Sequence, residues 1–230
     1  MDGDTAVVTG ASRGIGEAVA RAFAAAGAHV VICAREKDEI EQVAEGIREE
    51  GGRATATRAD VRDQFDVERL MEKASAVGDG IDIVVANAAV YHGETGGTPL
   101  SAESYAAFDD HLRTNARGTF ATIREAIPHL SDDARVLVAS GSVAREPHPG
   151  YGSYAVSKAA AEAIARGFAA DTDHAICVVD PGQVATSLSG GRGHDPEDVA
   201  EQFRWAAVDA PADAIDGEII DRRDWRSATS

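Results

Sequence analysis

A tyrosine and a lysine stand four residues apart in the alanine-rich segment "SYAVSKAAAEAIA", residues 153–165. On a helix this spacing places Tyr154 and Lys158 on one face, close enough for their side chains to interact. A phenol has an ordinary pKa of about 10, and a neighbouring ammonium group lowers that pKa because it favours the phenolate. The pair could therefore exchange a proton with a substrate at neutral pH. Taken alone, the same spacing also fits a half-buried tyrosine beside a solvated lysine.

A glycine-rich segment, "TGASRGIG", lies between a short apolar segment and a stretch of helical periodicity. Gly10, Gly14 and Gly16 allow a tight turn, close approach of the backbone to a phosphate and close packing of the helix. The amino terminus of the following helix would then face a pyrophosphate group. A glycine-rich turn alone is a weak signal, so the prediction of dinucleotide binding depends on the strand before it and the helix after it.

The second apolar segment ends in "VVICAR", so Arg35 stands where dinucleotide-binding folds carry an acid for the ribose 2′-hydroxyl. An arginine can bind a 2′-phosphate through its planar guanidinium, and Arg13 in the glycine turn offers a second positive charge. These features favour NADP(H), and NAD(H) remains possible. The alternative is two exposed arginines in an arginine-rich protein.

Strand-like and helix-like segments alternate from the first residues almost to the last, and the strand-like segments are apolar on both faces. This pattern predicts an α/β fold in which a doubly wound parallel sheet is flanked by helices, a Rossmann fold. No proline- or serine-rich linker divides the chain, so we expect a single domain over residues 1–230. One long helical region is expected over residues 102–130, before the fifth strand.

Composition narrows the classes of partner. The net charge of −17 argues against a nucleic-acid-binding surface. Only three of the 22 basic residues are lysines, which together with the acidic excess suggests adaptation to concentrated salt; an ordinary acidic protein is the alternative.

No stretch approaches the roughly 20 apolar residues of a membrane span, and the first residues contain no apolar signal core, so we expect no membrane partner and a cytoplasmic location. No cysteine or histidine cluster has metal-ligand spacing, and no metal is predicted.

Taken in order, these motifs resemble the short-chain dehydrogenase/reductase family over nearly the whole chain. The resemblance implies an enzyme that binds a nicotinamide dinucleotide. Its adenine-contacting motif is matched by Asp60 and Val61, its "NAG" motif by "NAA" from Asn87 onward, and its nicotinamide motif by the segment from Pro181 to Thr186. The implied cofactor-binding residues are Gly10, Ser12, Arg13, Gly14, Ile15, Gly16, Arg35, Asp60, Val61, Asn87, Ala88, Tyr154, Lys158, Pro181, Gly182, Val184 and Thr186.

The same resemblance assigns catalytic roles. Tyr154 and Lys158 match the family's YxxxK motif, in which the tyrosine exchanges a proton with the substrate oxygen and the lysine also binds the nicotinamide ribose. Ser142, 12 residues before the tyrosine, best matches the family's catalytic serine, and Ser140 is the reserve because a glycine separates the two. Asn115 matches the asparagine that interrupts a helix and holds a proton-relaying water.

The resemblance implies interconversion of a carbonyl compound and a secondary alcohol, either as a 3-oxoacyl reductase or as a broad carbonyl reductase. Two alternatives are a non-catalytic dinucleotide-binding protein and an epimerase or dehydratase, although about 45 residues after the sixth strand leave little room for a larger substrate domain. Tyr151 is expected to line the substrate pocket. We expect a homo-dimer or homo-tetramer, and the short segment "SLSGGRGH" suggests an open site.

Overall fold

Seven parallel strands form one sheet in the computed structural model, which describes residues 1–229. The strand order is β3-β2-β1-β4-β5-β6-β7, which reverses direction between β1 and β4 and opens a crevice at the carboxyl ends of the strands. The predicted doubly wound Rossmann fold is confirmed. The strands are Thr5–Thr9 (β1), His29–Ala34 (β2), Arg53–Arg58 (β3), Ile81–Ala86 (β4), Leu130–Ala139 (β5), Ala175–Asp180 (β6) and Ile219–Asp221 (β7).

Helices cover both faces of the sheet. They are Gly14–Ala25 (α1), Lys37–Glu49 (α2), Gln64–Ser75 (α3), Tyr105–His111 (α4), Arg117–Ala126 (α5), Gly152–Asp171 (α6), Pro196–Arg204 (α7), Ala212–Ile215 (α8) and Arg222–Ala228 (α9). The long helical region expected before β5 is present from Tyr105 to His129, and a π-helical turn, Leu112–Ala116, lies within it between α4 and α5. Helix α4 begins only at Tyr105, where the Ser104 hydroxyl accepts a hydrogen bond from the backbone N–H of residue 107.

Alternate residues of each strand enter two separate apolar layers, as the two-residue period of a strand requires. In β5, Leu137 packs in the layer that contains Phe23 of α1 and Phe203 of α7. Its neighbour Val136 packs in the opposite layer with Leu70 of α3. Burying each such side chain stabilises the fold by about 1.5–3 kcal/mol. The sheet is therefore held rigidly between both helical layers, and its carboxyl edge is fixed in place.

Both cysteines lie inside the sheet as free thiols, Cys33 in one apolar layer and Cys177 in the other. Burial raises the pKa of each thiol to about 12, so both stay protonated and unreactive at neutral pH. Within residues 1–229, no helix combines the length and apolar character needed to cross a bilayer.

Candidate active site

Helix α6 carries Tyr154 and Lys158 on one face, near its amino-terminal end. The Lys158 Nζ lies 5.9 Å from the centre of the Tyr154 ring. It donates a hydrogen bond of 2.9 Å to the Ala139 carbonyl at the end of β5, and the residue is 6% exposed. The predicted neighbourhood of the phenol and the ammonium is therefore present, and the ammonium is fixed between α6 and the sheet.

The pKa of Tyr154 moves opposite to the expected direction. Burial raises it, and the nearby phenols of Tyr151 and Tyr91 and the Asp180 carboxylate raise it further. Burial also lowers the pKa of Lys158 to about 8, against the opposing effect of Glu162. In the protein without cofactor, loss of hydration changes the pKa of each group more than the presence of the other group does.

The two candidate serines differ in their partners. Ser140 Oγ donates a 2.7 Å hydrogen bond to the Glu162 carboxylate. Ser142 Oγ lies 3.2 Å from His148 Nε2 at the start of a short 3-10 turn. Both serines line the same cavity as Tyr154. The hydroxyl hydrogen of Ser140 is already committed to a carboxylate, whereas Ser142 has a partner that can accept or donate.

An ion cluster that the sequence did not predict lies behind Ser140. The Arg145 guanidinium contacts the carboxylates of both Glu162 and Asp180, whose side chains are almost completely buried. Asp180 also accepts a hydrogen bond of 2.9 Å from the backbone N–H of Gly182. The cluster joins α6, the end of β6 and the loop that carries Ser142, because one cation satisfies two buried anions from different elements.

Asn115 lies in the π-helical turn and is 1% exposed. Its side-chain carbonyl accepts from the backbone N–H of Val90 at 2.8 Å, and its amide donates to the Val90 carbonyl and to Ser157 Oγ, both at 2.9 Å. The side chain pairs with the chain that follows β4 in the way a strand would. This agrees with the expected interruption of the helix, since the asparagine bonds outside its own helical ladder.

A cavity of about 470 Å³ lies over the glycine turn, at the point where the strand order reverses. Of the predicted cofactor-binding residues it is lined by Gly10, Ser12, Arg13, Gly14, Ile15, Arg35, Asp60, Val61, Asn87, Ala88 and Thr186. A second cavity of about 330 Å³ shares Ile15, Thr186 and Leu188 with the first. The second cavity is lined by Tyr154, Pro181, Gly182 and Val184 of the predicted set, and also by Tyr151 as expected. Gly16, Lys158 and Asn115 line neither cavity.

The glycine turn is built for close approach of the backbone. Gly10 has φ +66°, and a Cβ there would lie 2.7 Å from Ala88 Cα. A Cβ on Gly16 would lie 2.4 Å from the Gly10 carbonyl oxygen, so Gly16 serves helix packing rather than the cavity surface. The Asn87 amide donates to the carbonyls of Thr9 and Gly10 at 3.0 and 3.1 Å and ties the turn to β4. Because α1 begins at the cavity wall, its free N–H groups and the glycines of the turn fit a pyrophosphate.

Charges of both signs surround the outer part of this first cavity. Arg13 and Arg35 are exposed on its wall, and Glu39, also on the wall, lies 3.9 Å from Arg13. Asp60 is bound by the Arg62 guanidinium at 2.7 Å. Burial raises the pKa of Asp60, but the bonds from Arg62 lower it more, so the group stays ionised.

Comparison with known proteins decides the family. The family model described as short chain dehydrogenase matches residues 4–197. The chain belongs to this family. It is therefore an oxidoreductase of the short-chain dehydrogenase/reductase type, whose fold binds nicotinamide dinucleotides.

Two relatives and one solved structure illustrate the likeness. The chain is 30% identical over 97% of its length to glycine betaine reductase ATRR of Emericella nidulans, but spans only 19% of that protein. It is 36% identical to short chain dehydrogenase/reductase AacuN of Aspergillus aculeatus, over 84% of this chain and 74% of the relative. A short chain dehydrogenase from Burkholderia cenocepacia, solved in complex with NADP, superposes with a TM-score of 0.85 at 28% identity, over 96% of each chain.

Proposed function

We propose that this short-chain dehydrogenase/reductase uses NADP(H) to interconvert a carbonyl compound and a secondary alcohol, with Tyr154 as general acid and base. The supporting observation is that Tyr154 and Ser142 line one cavity that adjoins the glycine-turn cavity. The Lys158 ammonium stands behind the phenol. A substrate carbonyl in the second cavity would thus meet two hydroxyl donors beside the place expected for the nicotinamide ring.

In the reductive direction the bound cofactor supplies a hydride to the carbonyl carbon. Tyr154 gives its proton to the carbonyl oxygen, so the C=O π bond breaks and a secondary alcohol forms. Ser142 donates a hydrogen bond to the same oxygen and stabilises the charge that develops there. The Lys158 ammonium stabilises the phenolate left on Tyr154, and water returns the proton. In the reverse direction the phenolate accepts the alcohol proton.

Asn115 acts as the positioning residue of the proton path in this proposal. Its amide donates to Ser157 Oγ, and Ser157 directly precedes Lys158 and follows Tyr154 by three residues on α6. Its bonds to Val90 hold the chain after β4 beside them. A water in this region would connect the buried Lys158 to solvent.

Two features support the cofactor preference. Arg13 and Arg35 line the first cavity where a 2′-phosphate would lie, and no carboxylate ends β2 to bind a free 2′-hydroxyl. The short chain dehydrogenase from Burkholderia cenocepacia was solved in complex with NADP, which supports the same preference. NAD(H) is the competing cofactor, and Glu39 beside Arg13 works in its favour.

Two exposed apolar side chains on α5 and α6 support a homo-oligomer. Phe120 on α5 and Val156 on α6 leave 40% and 41% of their surface exposed, which suits burial against another copy in a homo-dimer or homo-tetramer. We also propose that residues 1–230 act as one domain in the cytoplasm of a cell adapted to salt, on the charge pattern given above.

The deciding experiment is a panel of carbonyl compounds assayed in high salt with NADPH and NADH side by side. Tyr154→Phe should keep NADPH binding, measured by quenching of protein fluorescence, and lose reduction by at least about 100-fold. Ser142→Ala should lose more activity than Ser140→Ala. Cofactor binding without reduction of any compound would point to a non-catalytic binding protein, and substantial activity of Tyr154→Phe would remove the tyrosine from its role.

A further inference from the structure

The lining of the second cavity carries no permanent charge, and we call it the uncharged lining. Its seventeen wall residues, all within the described part of the chain, include no aspartate, glutamate, lysine or arginine. Its one imidazole is that of His148, which lies 3.3 Å from Glu146. The nearby cation Arg145 is occupied by Glu162 and Asp180. The buried Nε and Nη1 of Arg222 have no hydrogen-bond partner, and its side chain approaches Gly182, but it lies outside the lining and packs on the Trp225 ring. A carboxylate or phosphate on a substrate would therefore lose its hydration in this cavity and gain no counter-charge from the lining.

The charge of the whole chain acts in the same direction. At low ionic strength a net charge of −17 produces a field that lowers the local concentration of anions, and concentrated salt screens this field. The Asp180 carboxylate lies near enough to the phenol to raise the pKa of Tyr154, and the Lys158 ammonium behind the phenol is outside the cavity lining. An anionic substrate would thus be disfavoured both during approach and at the site.

One side of the cavity is an aromatic wall, which we define as Tyr91, Tyr151 and His148. The Tyr91 ring lies 5.0 Å from the Tyr154 ring at 89°, and 6.1 Å from the Tyr151 ring. The Tyr151 ring lies 6.0 Å from His148. A ring carried directly on a carbonyl carbon whose oxygen meets Tyr154 would be within reach of this wall.

Tyr91 presents its ring rather than its hydroxyl. The hydroxyl lies 3.0 Å from the Glu94 carbonyl and 3.1 Å from the Gly150 carbonyl, so its hydrogen is committed to the backbone. Burial raises the pKa of this phenol, which keeps it uncharged. The side chain therefore acts as an apolar, aromatic surface of fixed orientation, which favours offset or edge-to-face contact with a second ring.

We propose, resting on the carbonyl reduction proposed above, that the substrate is an uncharged ketone with an aromatic ring attached to its carbonyl carbon. The two hydroxyls of Tyr154 and Ser142 bind the oxygen, the aromatic wall binds the ring, and the uncharged lining rejects anions. Reduction by NADPH with uptake of one proton gives the corresponding secondary benzylic alcohol and NADP⁺.

Three matched probes test the proposal: methyl benzoylformate, its anion benzoylformate, and methyl cyclohexylglyoxylate, in which a saturated ring replaces the aromatic one. We expect kcat/KM with NADPH to be at least about 100-fold lower for the anion than for its ester. Tyr91→Leu should lower the ratio of aromatic to saturated ester about two- to tenfold, whereas Tyr91→Phe should retain the ratio. Tyr151→Leu gives a second test of the wall if Tyr91→Leu does not fold.

A charged substitution in the lining tests the rejection of anions on the same pair of substrates. Differences in the intrinsic reactivity of the two substrates then cancel between variant and wild type. Leu188 lines the cavity and is 37% exposed, so it tolerates a longer side chain. Leu188→Arg should raise the efficiency for benzoylformate relative to its ester at least about tenfold, and the neutral control Leu188→Gln should not.

The outcomes separate the two proposals. Equal efficiency with the anion and the ester, or an aromatic-to-saturated ratio that neither leucine variant at the wall changes, overturns the substrate class and leaves the proposed reductase intact. If the protein reduces other carbonyl compounds of the panel but none of these three ketones, the substrate class is overturned and the reductase stands. If it binds NADPH but reduces no compound of the panel with either cofactor, the proposed reductase itself is overturned.

Discussion

Glu103 and His111 form a buried carboxylate–imidazole contact at the amino terminus of the helix that carries Tyr154. Glu103 Oε1 lies 3.2 Å from His111 Nδ1, and the two side chains are 3% and 0% exposed. The other carboxylate oxygen accepts from the backbone N–H of Ser153, in the first turn of α6. His111 Nε2 accepts from the His92 backbone N–H at 3.0 Å, so the ring hydrogen is on Nδ1. The carboxylate thus caps α6 directly before the phenol.

Removing this cap should loosen the catalytic tyrosine. Glu103→Ala leaves the Ser153 N–H without its acceptor, which costs about 1–3 kcal/mol, whereas His111 Nδ1 keeps Ser153 Oγ at 2.7 Å. We expect a lower midpoint in urea at fixed high salt, and a fall in kcat that exceeds any change in the KM for NADPH, because the dinucleotide cavity is built from other elements.

Glu103→Gln is the matched variant for this prediction. Its amide oxygen can still accept from Ser153, so it should recover most of the stability and of kcat. If the glutamine and alanine variants have equal kcat values, the cap does not position Tyr154, and Glu103 serves stability alone.

Gly190 is a matched control for a substitution of Gly10 in the glycine turn. Gly10 and Gly190 both have φ +66°, but a Cβ at Gly10 would lie 2.7 Å from the backbone of Ala88, whereas nothing lies within 4 Å at Gly190. Both alanine variants pay the strain of a left-handed conformation, about 1–2 kcal/mol. Gly10→Ala should also displace the turn and weaken NADPH binding at least about tenfold, measured by fluorescence titration. Similar NADPH affinities for the two variants would contradict the close-packed turn.

Local motifs made much of this site predictable, and long-range packing hid the rest. The spacing of Tyr154 and Lys158 lies within one helix, and the glycine turn lies within one strand–turn–helix unit, so a linear pattern describes both. The cap joins Glu103 to Ser153, 50 positions further along the chain, and no periodic pattern in the sequence indicates this contact. The pKa of Tyr154 was misjudged for the same reason, because its burial depends on loops that the motif does not contain.

The activity of the proposed reductase should fall in alkaline solution. Burial lowers the pKa of Lys158 to about 8, so its ammonium is complete below that pH and is lost as the pH rises above it. Reduction leaves a phenolate on Tyr154 that the ammonium stabilises, and kcat at saturating NADPH should therefore decrease about tenfold per pH unit above the pKa. Lys158→Arg keeps its charge at every accessible pH, so its residual activity should lack this decrease. An identical alkaline decrease in both proteins would assign it to another group.

The lowered pKa of Lys158 also determines how the free energy of unfolding depends on pH. Since the folded-state pKa of Lys158 lies below its ordinary value of 10.5, the unfolded chain binds more protons between about pH 8 and 10.5. The contribution of Lys158 to the free energy of unfolding should thus rise with pH across this window and stay constant below it. The difference in urea midpoint between the wild type and Lys158→Met, followed against pH, isolates this contribution from the other titrating groups.

The cofactor preference should depend on the balance between Arg35 and Glu39 on the cavity wall. Arg35→Ala removes a cation from the place expected for the 2′-phosphate, so the KM for NADPH should rise about tenfold, or about 1.4 kcal/mol, while the KM for NADH changes little. Glu39→Gln should act in the opposite direction, because it removes a carboxylate 3.9 Å from Arg13 that would repel the phosphate. Arg58→Ala is the matched control, since Arg58 is also exposed but lies outside the cavity lining. Parallel changes in both KM values for Arg35→Ala would mean that the arginine supports the fold of the cavity rather than the choice of cofactor.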